Sequence, residues 1–162
     1  MTLATVSSAA LDVLVSATVE VFDTMVFRGL SPRDATWGWL TQPKSQIVGT
    51  VGFTGSSNGL VAFHATAEAA RDITAAMLGG DVDEAGIPDA IGEVTNMIAG
   101  AFRTRMAQKD DLWAITVPTV TVGTDFYIKP ITTGDRAIVA FAMDGHELFV
   151  ELIIAPAVKD TV

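Results

Sequence analysis

The apolar residues of this chain change their spacing in blocks, and the order of these blocks restricts the fold more than any other sequence feature. Residues 8–25 repeat apolar side chains every three or four positions, which is the spacing of an amphipathic helix. The other predicted elements are helices at 66–78 and 88–107 and strands at 46–53, 59–65, 112–117, 120–128, 137–143 and 146–155. Strands and helices that do not alternate predict an α+β fold, with helices packed on an antiparallel β-sheet.

Turn and cap residues support the same order of elements. Residues 54–59 are predicted to form the turn between the first two strands, and the pair Asn58-Gly59 within them is a strong turn signal. Thr66 is placed to cap the next helix, and Pro88 opens the one after it. The glycines between residues 49 and 59 fit neither a dinucleotide-binding nor a phosphate-binding loop, so this segment is interpreted as a hairpin.

Residues 31–45 contain two prolines and many polar residues, and they are predicted to form a connection without regular structure. Trp37 and Trp39 lie inside it. They could anchor a partner protein or cover the edge of the core. The packing interpretation is favoured because large aromatic side chains usually pack against their own chain.

Length and charge restrict both the domain organisation and the partners. The chain has 162 residues, which suits a single domain over residues 1–162. It carries 19 acidic and 10 basic residues, for a net charge of −9. An acidic surface repels phosphate backbones and anionic lipids, so neither nucleic acid nor a membrane is expected as a partner.

Cysteine is absent, which excludes disulfides, thiol catalysis and cysteine-bound zinc. His64 and His146 are far apart in the sequence and lack the spacing of metal ligands, so no metal site is expected. The sequence has no secretory signal pattern and no apolar run long enough to cross a membrane. A cytoplasmic location is therefore expected.

The helix predicted from residue 88 to residue 107 contains the most informative pattern. A helical wheel places Ile91, Val94, Ile98 and Phe102 on one side, and it places Asp89, Glu93, Asn96, Gly100 and Arg103 on the other. Glu93 and Asn96 are three residues apart and are therefore neighbours on this polar side. Gly100 continues it without a side chain, and Gly92 flanks it, which predicts a low, flat surface. The stripe is either a solvated helix face or a surface that a partner approaches closely.

An amide beside a carboxylate favours some kinds of chemistry over others. The Asn96 amide cannot transfer protons at neutral pH, but it can hold a water molecule through one donated and one accepted hydrogen bond. Positioning of the attacking water is the main task of a protein in phosphoryl hydrolysis. The Glu93 carboxylate can bind a lysine of a partner. Five acidic residues and no basic residue between 81 and 93 disfavour a free phosphorylated metabolite and favour a phosphoprotein that brings its own Mg²⁺.

These residues resemble a known family signature: Asp or Ser, three residues, Glu, two residues, Asn, and a downstream proline. In this chain the signature is Asp89, Glu93, Asn96 and Pro118. In this pattern, and in its context over residues 46–130, the chain resembles the CheX branch of the CheC/CheX/FliY chemotaxis phosphatases. The resemblance implies a CheC/CheX-like α/β sandwich and a single phosphatase domain.

The resemblance also implies an activity, a partner and residue roles. The protein would dephosphorylate a CheY-like response regulator, with Asn96 orienting the attacking water and Glu93 paired with a lysine of the regulator. Mg²⁺ would belong to the regulator, and the chain would need no cofactor of its own. Asp89, which opens the motif, would help to hold the helix start. Asp89, Gly92, Gly100 and Arg103 would form the surrounding surface that contacts the partner.

A single E-x-x-N helix favours the CheX branch, whose members form dimers through the sheet, so a homodimer is expected. The aliphatic segment Leu148–Ile154 is predicted to lie at the sheet edge and to need covering. Two alternatives to the phosphatase stay open. One is a non-catalytic regulator-binding or flagellar-switch-like interaction module, and the other is a small-ligand-binding domain. Turnover distinguishes the first from an enzyme, because a binding module saturates at stoichiometry.

Overall fold

Three α-helices pack on a seven-stranded antiparallel sheet in the part of the chain that the computed structural model describes, residues 6–39, 42–107, 113–130 and 134–156. The helices are α1 (Ser8–Val21), α2 (Ala67–Leu78) and α3 (Ile87–Met106). The strands are β1 (Ser31–Trp37), β2 (Ser45–Thr54), β3 (Ser57–Ala65), β4 (Ala114–Ile115), β5 (Thr119–Phe126), β6 (Asp135–Met143) and β7 (His146–Pro156). The predicted α+β class is confirmed.

The helix ends follow the capping residues in the sequence. The Ser7 hydroxyl accepts a hydrogen bond from the Ala10 amide at 3.0 Å, and the Thr66 hydroxyl accepts one from the Ala69 amide at 3.1 Å. A π-helical turn, Phe22–Val26, extends α1 to the length that was predicted. Gly79 ends α2 in the left-handed conformation that glycine adopts without strain.

The strand order corrects the predicted position of the last strand. The sheet runs β1-β6-β7-β3-β2, and both β4 and β5 pair with β2 on its outer side. The strand β7 lies between β6 and β3, so the prediction that Leu148–Ile154 forms a sheet edge is wrong. Its nearly continuous apolar sequence is instead typical of an interior strand that is buried on both faces.

The predicted connection at residues 31–45 contains a strand, β1, that the sequence pattern did not predict. This strand pairs with β6 at the sheet edge, and its register shifts between Pro32 and Ala35. An edge strand tolerates proline and a bulge because one row of its backbone groups faces away from the sheet. Proline and charged residues interrupt the alternation of apolar and polar side chains from which a strand is predicted.

The turn between the first two strands lies within the predicted segment 54–59 but is shorter than predicted. Residues 55 and 56 make the turn, and Asn58 and Gly59 lie inside β3, paired with Ala155 and Ile154 of β7. A Cβ atom on Gly59 would lie 1.9 Å from the Ile153 carbonyl oxygen. The absence of a side chain at Gly59 therefore allows the β3 backbone to lie close to β7. The strand predicted at 112–117 is reduced to Ala114–Ile115, and residue 112 lies outside the described residues.

One face of the sheet packs against the helices. Every second side chain of the central strands points to this face, as the pleat of a strand requires. The buried members include Ile47, Val51, Phe53, Val61, Phe63, Val139, Phe141, Val150 and Leu152. The helix α3 packs on β2, β3 and β5 and touches both other helices. Its polar side, which includes Asp89 and Glu93, is exposed in the described part of the structure. No helix among the described residues has the length and apolar content needed to cross a membrane.

The opposite face of the sheet holds a buried polar network centred on Glu151, whose side chain is 1% exposed. The Arg136 Nε and the His64 Nε2 both contact its carboxylate, the latter at 3.0 Å. The His64 Nδ1 lies 2.9 Å from the Ser45 hydroxyl. The Arg136 guanidinium also stacks 4.7 Å from the centre of the Trp39 ring. Trp39 therefore packs against its own chain, as the favoured interpretation predicts, and His64 is engaged in this network.

This network predicts that acid destabilises the fold. Burial raises the pKa of the Glu151 carboxyl, but the hydrogen bonds and charges of His64 and Arg136 outweigh burial and hold this pKa below its ordinary value of 4.5. A lowered pKa in the folded state adds stability above the unfolded pKa, and this stability is lost as the pH falls through the folded pKa. In urea titrations, we expect the free energy of unfolding to fall as the pH drops below 4.5.

The matched variant is Glu151→Gln. It is expected to be less stable than the natural chain at pH 7, because it removes the negative charge that pairs with the buried Arg136. It is also expected to lose less stability between pH 7 and pH 3. An equal acid dependence in the two proteins would rule out Glu151 as the source.

Candidate functional site

The free side of α3 carries the polar stripe that the sequence predicts. Asp89 and Glu93 are exposed, and Asn96, Gly100 and Arg103 are half-buried. The apolar side of the helix, which includes Ile91, Val94, Ile98 and Phe102, is buried in the core. The structure therefore leaves both Glu93 and Asn96 within reach of another molecule.

The two central side chains have no binding partners inside the described part of the chain. Neither the Glu93 carboxylate nor the Asn96 amide forms a side-chain hydrogen bond or an ion pair there. By contrast, Arg105 at the end of the same helix pairs with Glu20 and donates to the Ser16 hydroxyl at 2.9 Å. The hydrogen-bonding capacity of Glu93 and Asn96 is therefore available to water and to partners.

The two glycines of the stripe have different surroundings. A Cβ atom on Gly100 would meet no atom of the described residues within 4 Å, so this position is open in that part of the structure. Gly92 is buried, and a Cβ atom there would lie 3.3 Å from Val120 Cγ2 and 3.7 Å from Pro118 Cγ. Gly92 therefore packs against β5, and its predicted place on the partner-facing surface is wrong. The wheel could not show this because the position of β5 is set by distant parts of the sequence.

This difference predicts unequal effects on stability for two matched substitutions. Gly100→Ala is expected to raise the free energy of unfolding by about 0.5–1 kcal/mol, because alanine favours the helix and its methyl group enters open space. Gly92→Ala is expected to gain less than that, or to lose stability, because the Val120 side chain must move. Urea denaturation measures both, and an equal gain would contradict the packing of β5 on Gly92.

A third glycine, Gly49 of β2, sets the height of α3 above the sheet. A Cβ atom on Gly49 would lie 2.0 Å from Thr95 Oγ1 and 3.3 Å from the Ile91 carbonyl oxygen. Thr95 is fully buried, and its hydroxyl donates to that same carbonyl at 2.7 Å. Close contact at Gly49 thus holds the turn of α3 that precedes Asn96. The sequence pattern assigns Gly49 only to a hairpin and gives it no part in the site.

The charge around the site is predominantly negative. Asp81, Asp83 and Glu84 precede α3 and are all exposed, as are Asp89 and Glu93 on the helix itself. Of these, Glu84 is paired with Arg71 of α2. The Asp89 carboxylate lies in the first turn of α3, where the helix dipole favours a negative charge. A partner that binds this surface needs positive charge of its own.

Metal ligands do not converge within the described ranges. No group of three or more histidine, aspartate or glutamate side chains there could hold a metal ion. His146 pairs with Asp72 at 2.6 Å, and His64 belongs to the buried network on the opposite face of the sheet.

An amide and a carboxylate one helical turn apart, both free and both projecting from a rigid element, can do limited chemistry. Asn96 can hold and orient a water molecule, and Glu93 can bind an ammonium group. Neither the nucleophile–base pair of covalent catalysis nor a basic phosphate pocket accompanies them in the described part of the surface. The site therefore suits a reaction whose phosphoryl group and cations come with the partner.

Comparisons with known proteins agree with this arrangement. Residues 47–142 match the family model described as chemotaxis phosphatase CheX. The chain is 34% identical over 87 residues to the CheY-P phosphatase CheX of Thermotoga maritima. That match covers 51% of this chain and 56% of the relative, so the chain spans about half the length of the curated relative that it matches.

Solved structures match more of the chain. The chemotaxis protein CheX of Desulfovibrio desulfuricans has a TM-score of 0.84 at 28% identity, with 91% of this chain and 99% of that chain covered. The CheX of Borrelia burgdorferi, solved as a complex of CheX, CheY, BeF₃ and Mg²⁺, has a TM-score of 0.73 at 22% identity. That match covers 90% of this chain and 97% of the Borrelia chain, and it shows a shared fold.

The matched family segment contains most of β2 and the whole of β3, β5 and α3, and therefore the polar stripe and the strands that support it. Fold, motif and family model agree on the same part of the molecule. The chain belongs to the chemotaxis phosphatase CheX family.

Proposed function

We propose that this protein is a response-regulator aspartyl-phosphate phosphatase that removes the phosphoryl group from a CheY-like receiver domain. The observation that carries the proposal is the free pair Glu93 and Asn96, which share one exposed turn of α3 and have no side-chain partners among the described residues. The family membership and the name of the Thermotoga relative support the same activity.

In the proposed reaction, the Asn96 amide holds a water molecule in line with the acyl-phosphate bond of the receiver. The water oxygen attacks phosphorus, the bond between phosphorus and the aspartyl oxygen breaks, and the bonding electrons return to the aspartate carboxylate. The products are a free receiver aspartate and inorganic phosphate. Because the transition state is loose, the in-line position of the water is the main contribution that Asn96 can make.

The proposed role of Glu93 is to bind a lysine of the receiver and so to fix the docking register. Mg²⁺ is proposed to come with the receiver, since the chain offers no cluster of metal ligands in its described ranges. The Borrelia structure, which contains CheX, CheY, BeF₃ and Mg²⁺ together, supports a partner of this kind. We further propose chemotaxis signalling in the cytoplasm as the setting.

The experiment is phosphate release from a panel of receiver domains that are phosphorylated with a small-molecule donor in the presence of Mg²⁺. Each receiver is followed with and without the protein. At least one receiver is expected to lose its phosphate markedly faster in the presence of the protein. Unchanged decay across the whole receiver panel of the source organism would contradict the proposal.

We also propose a homodimer. Its contact cannot be the edge that was expected at Leu148–Ile154, so other strands of the sheet must form it. Because β7 is interior, the sheet edges in the described part of the chain are β1 on one side and β4 with β5 on the other, and a dimer formed through the sheet would use one of these edges. We expect sedimentation equilibrium at micromolar concentration to give twice the chain mass. A strict monomer would contradict this prediction.

A further inference from the structure

Next to the polar stripe of α3 lies an exposed apolar residue, Val117, which joins β4 to β5. Its side chain is 84% exposed, the largest exposure among the large hydrophobic residues that the structure describes. Exposed aliphatic residues are common when they occur singly, so exposure alone gives Val117 no role. The position of Val117 and the rigidity of its backbone are the features that indicate a role.

The position of Val117 along α3 follows from two contacts. The Trp113 ring packs against Phe102 with 6.4 Å between ring centres, and Pro118 packs against Gly92. The segment from Trp113 to Pro118 therefore runs antiparallel to α3. Ten helical residues, from 92 to 102, span about 15 Å, and five extended residues, from 113 to 118, span about 16 Å. The two segments therefore have nearly the same length. Val117 then lies level with the turn between Glu93 and Asn96.

The backbone on both sides of Val117 is fixed. Thr116 forms two hydrogen bonds with Gly52 of β2, one to its carbonyl and one from its amide, both at 2.9 Å. On the other side, the Pro118 ring lies against Gly92 and also restricts Val117 to an extended conformation. The β-branched side chain of Val117 is stiff as well. A partner that contacts Val117 therefore has little conformational entropy to remove.

Asn96 faces the same side of the helix as Val117. It follows Gly92 by one turn, and Gly92 is the residue that packs against Pro118 and β5. A specific protein interface covers about 800 Å² on each partner, which is far more than two polar side chains provide. A receiver that brings its phosphoryl group to Asn96 must therefore extend over neighbouring residues, and Val117 is the exposed apolar residue that these contacts place level with that turn.

We infer that Val117 is a docking residue for the receiver domain, contributing affinity and selectivity but not chemistry. The inference rests on the proposed function, because it takes its occupant from the site on α3. The receiver is expected to present an apolar side chain to Val117 next to the lysine that binds Glu93. The apolar contact would then select among receivers whose phosphorylated pockets are alike.

The test uses the receiver that loses phosphate fastest in the panel described above. That receiver is loaded with BeF₃⁻ and Mg²⁺, and its dissociation constant is measured by titration calorimetry. Val117→Asp is expected to weaken binding by about tenfold or more, because a carboxylate would be buried against an apolar contact. Val117→Ile, which keeps the shape and polarity, is expected to bind within about twofold of the natural chain.

Phe27→Asp is the matched control. Phe27 is 66% exposed, and its neighbour Arg28 pairs with Asp144 at the β6–β7 turn, which β3 and β2 separate from β5. The dissociation constant of the Phe27→Asp variant is expected to stay within about twofold of the value for the natural chain. Thermal unfolding checks that each variant is folded, as expected for substitutions at exposed positions.

Phosphate release then separates this inference from the proposed function. Val117→Asp is expected to raise the receiver concentration for half-maximal rate and to keep the rate at saturation. Binding of Val117→Asp within twofold of the natural chain would overturn the docking role, and so would a lost rate at saturation with unchanged affinity. If Asn96→Ala turns over the same receiver at the natural rate, the assignment of Asn96 fails whatever Val117 does.

Discussion

Replacement of Asn96 by alanine is expected to lower the rate of receiver dephosphorylation at saturation by a factor on the order of a hundred or more. The change removes the group that is proposed to place water in line with the phosphorus atom, and a misplaced nucleophile has costs of this size. Asn96 is half-buried, and its side chain has no partner among the described residues, so its loss leaves no buried group unpaired. The measurement is single-turnover phosphate release at saturating protein.

The fold of this variant is expected to be intact or slightly more stable, by a few tenths of a kcal/mol, because alanine is the better helix former. Thr104→Ala is the matched control. Thr104 is exposed on the same helix, and among the described residues its hydroxyl bonds only to the Gly100 carbonyl, at 2.9 Å. The control should keep the natural rate. Equal rates for Asn96→Ala and Thr104→Ala would remove Asn96 from the reaction.

The second large effect is expected at Gly49, on stability. Gly49→Ala should lower the free energy of unfolding by about 2–3 kcal/mol, since an extra methyl group in a closely packed contact forces the helix or the strand to shift. For a chain of this length that corresponds to a melting temperature lower by roughly 5–10 °C. The cause is local, because the methyl group would overlap Thr95 Oγ1, only 2.0 Å away.

A double-mutant cycle tests that cause. Thr95→Ala removes the overlapping hydroxyl, so Gly49→Ala should cost less in that background, with a coupling free energy of about 0.5–3 kcal/mol. If the cost of Gly49→Ala is the same with and without the Thr95 hydroxyl, that hydroxyl does not lie against Gly49 and α3 does not contact β2 closely there.

The sequence was sufficient to predict α3 and its polar side, and the reason is physical. A long amphipathic helix reveals its exposed face through a period of 3.6 residues, so the spacing alone places Glu93 and Asn96 side by side. Their accessibility follows from the same pattern, since Ile91, Val94 and Ile98 fill the opposite side. The family motif added the roles, which a helical wheel does not contain.

Sequence reasoning failed where the answer depends on distant parts of the chain. Gly92 and Gly100 look alike in the sequence, but β5 covers one of them and leaves the other open. The apolar run from Leu148 to Ile154 shows that a strand is buried and does not show which strands cover it. Strand order and helix height above the sheet are tertiary properties.

The buried network around Glu151 had a recognisable but ambiguous signal. A single glutamate within the apolar run of β7 indicates a paired, buried charge or an interrupted strand. The pairing with Arg136 and His64 requires β6 and β3 to flank β7, and only the structure shows that they do. Packing on the far face of the sheet supports the strands that carry α3, but it is separate from the proposed site.

A phosphatase turns over phosphorylated receivers, whereas a binding module only occupies them. The two differ in the time course of receiver phosphate with one chain for every ten receivers, under conditions that prevent rephosphorylation. For this chain we expect nearly all the phosphate to be released faster than by spontaneous decay, with several turnovers per chain. Accelerated loss that stops after a tenth of the receivers, or protection of the phosphate by bound protein, would rule out turnover.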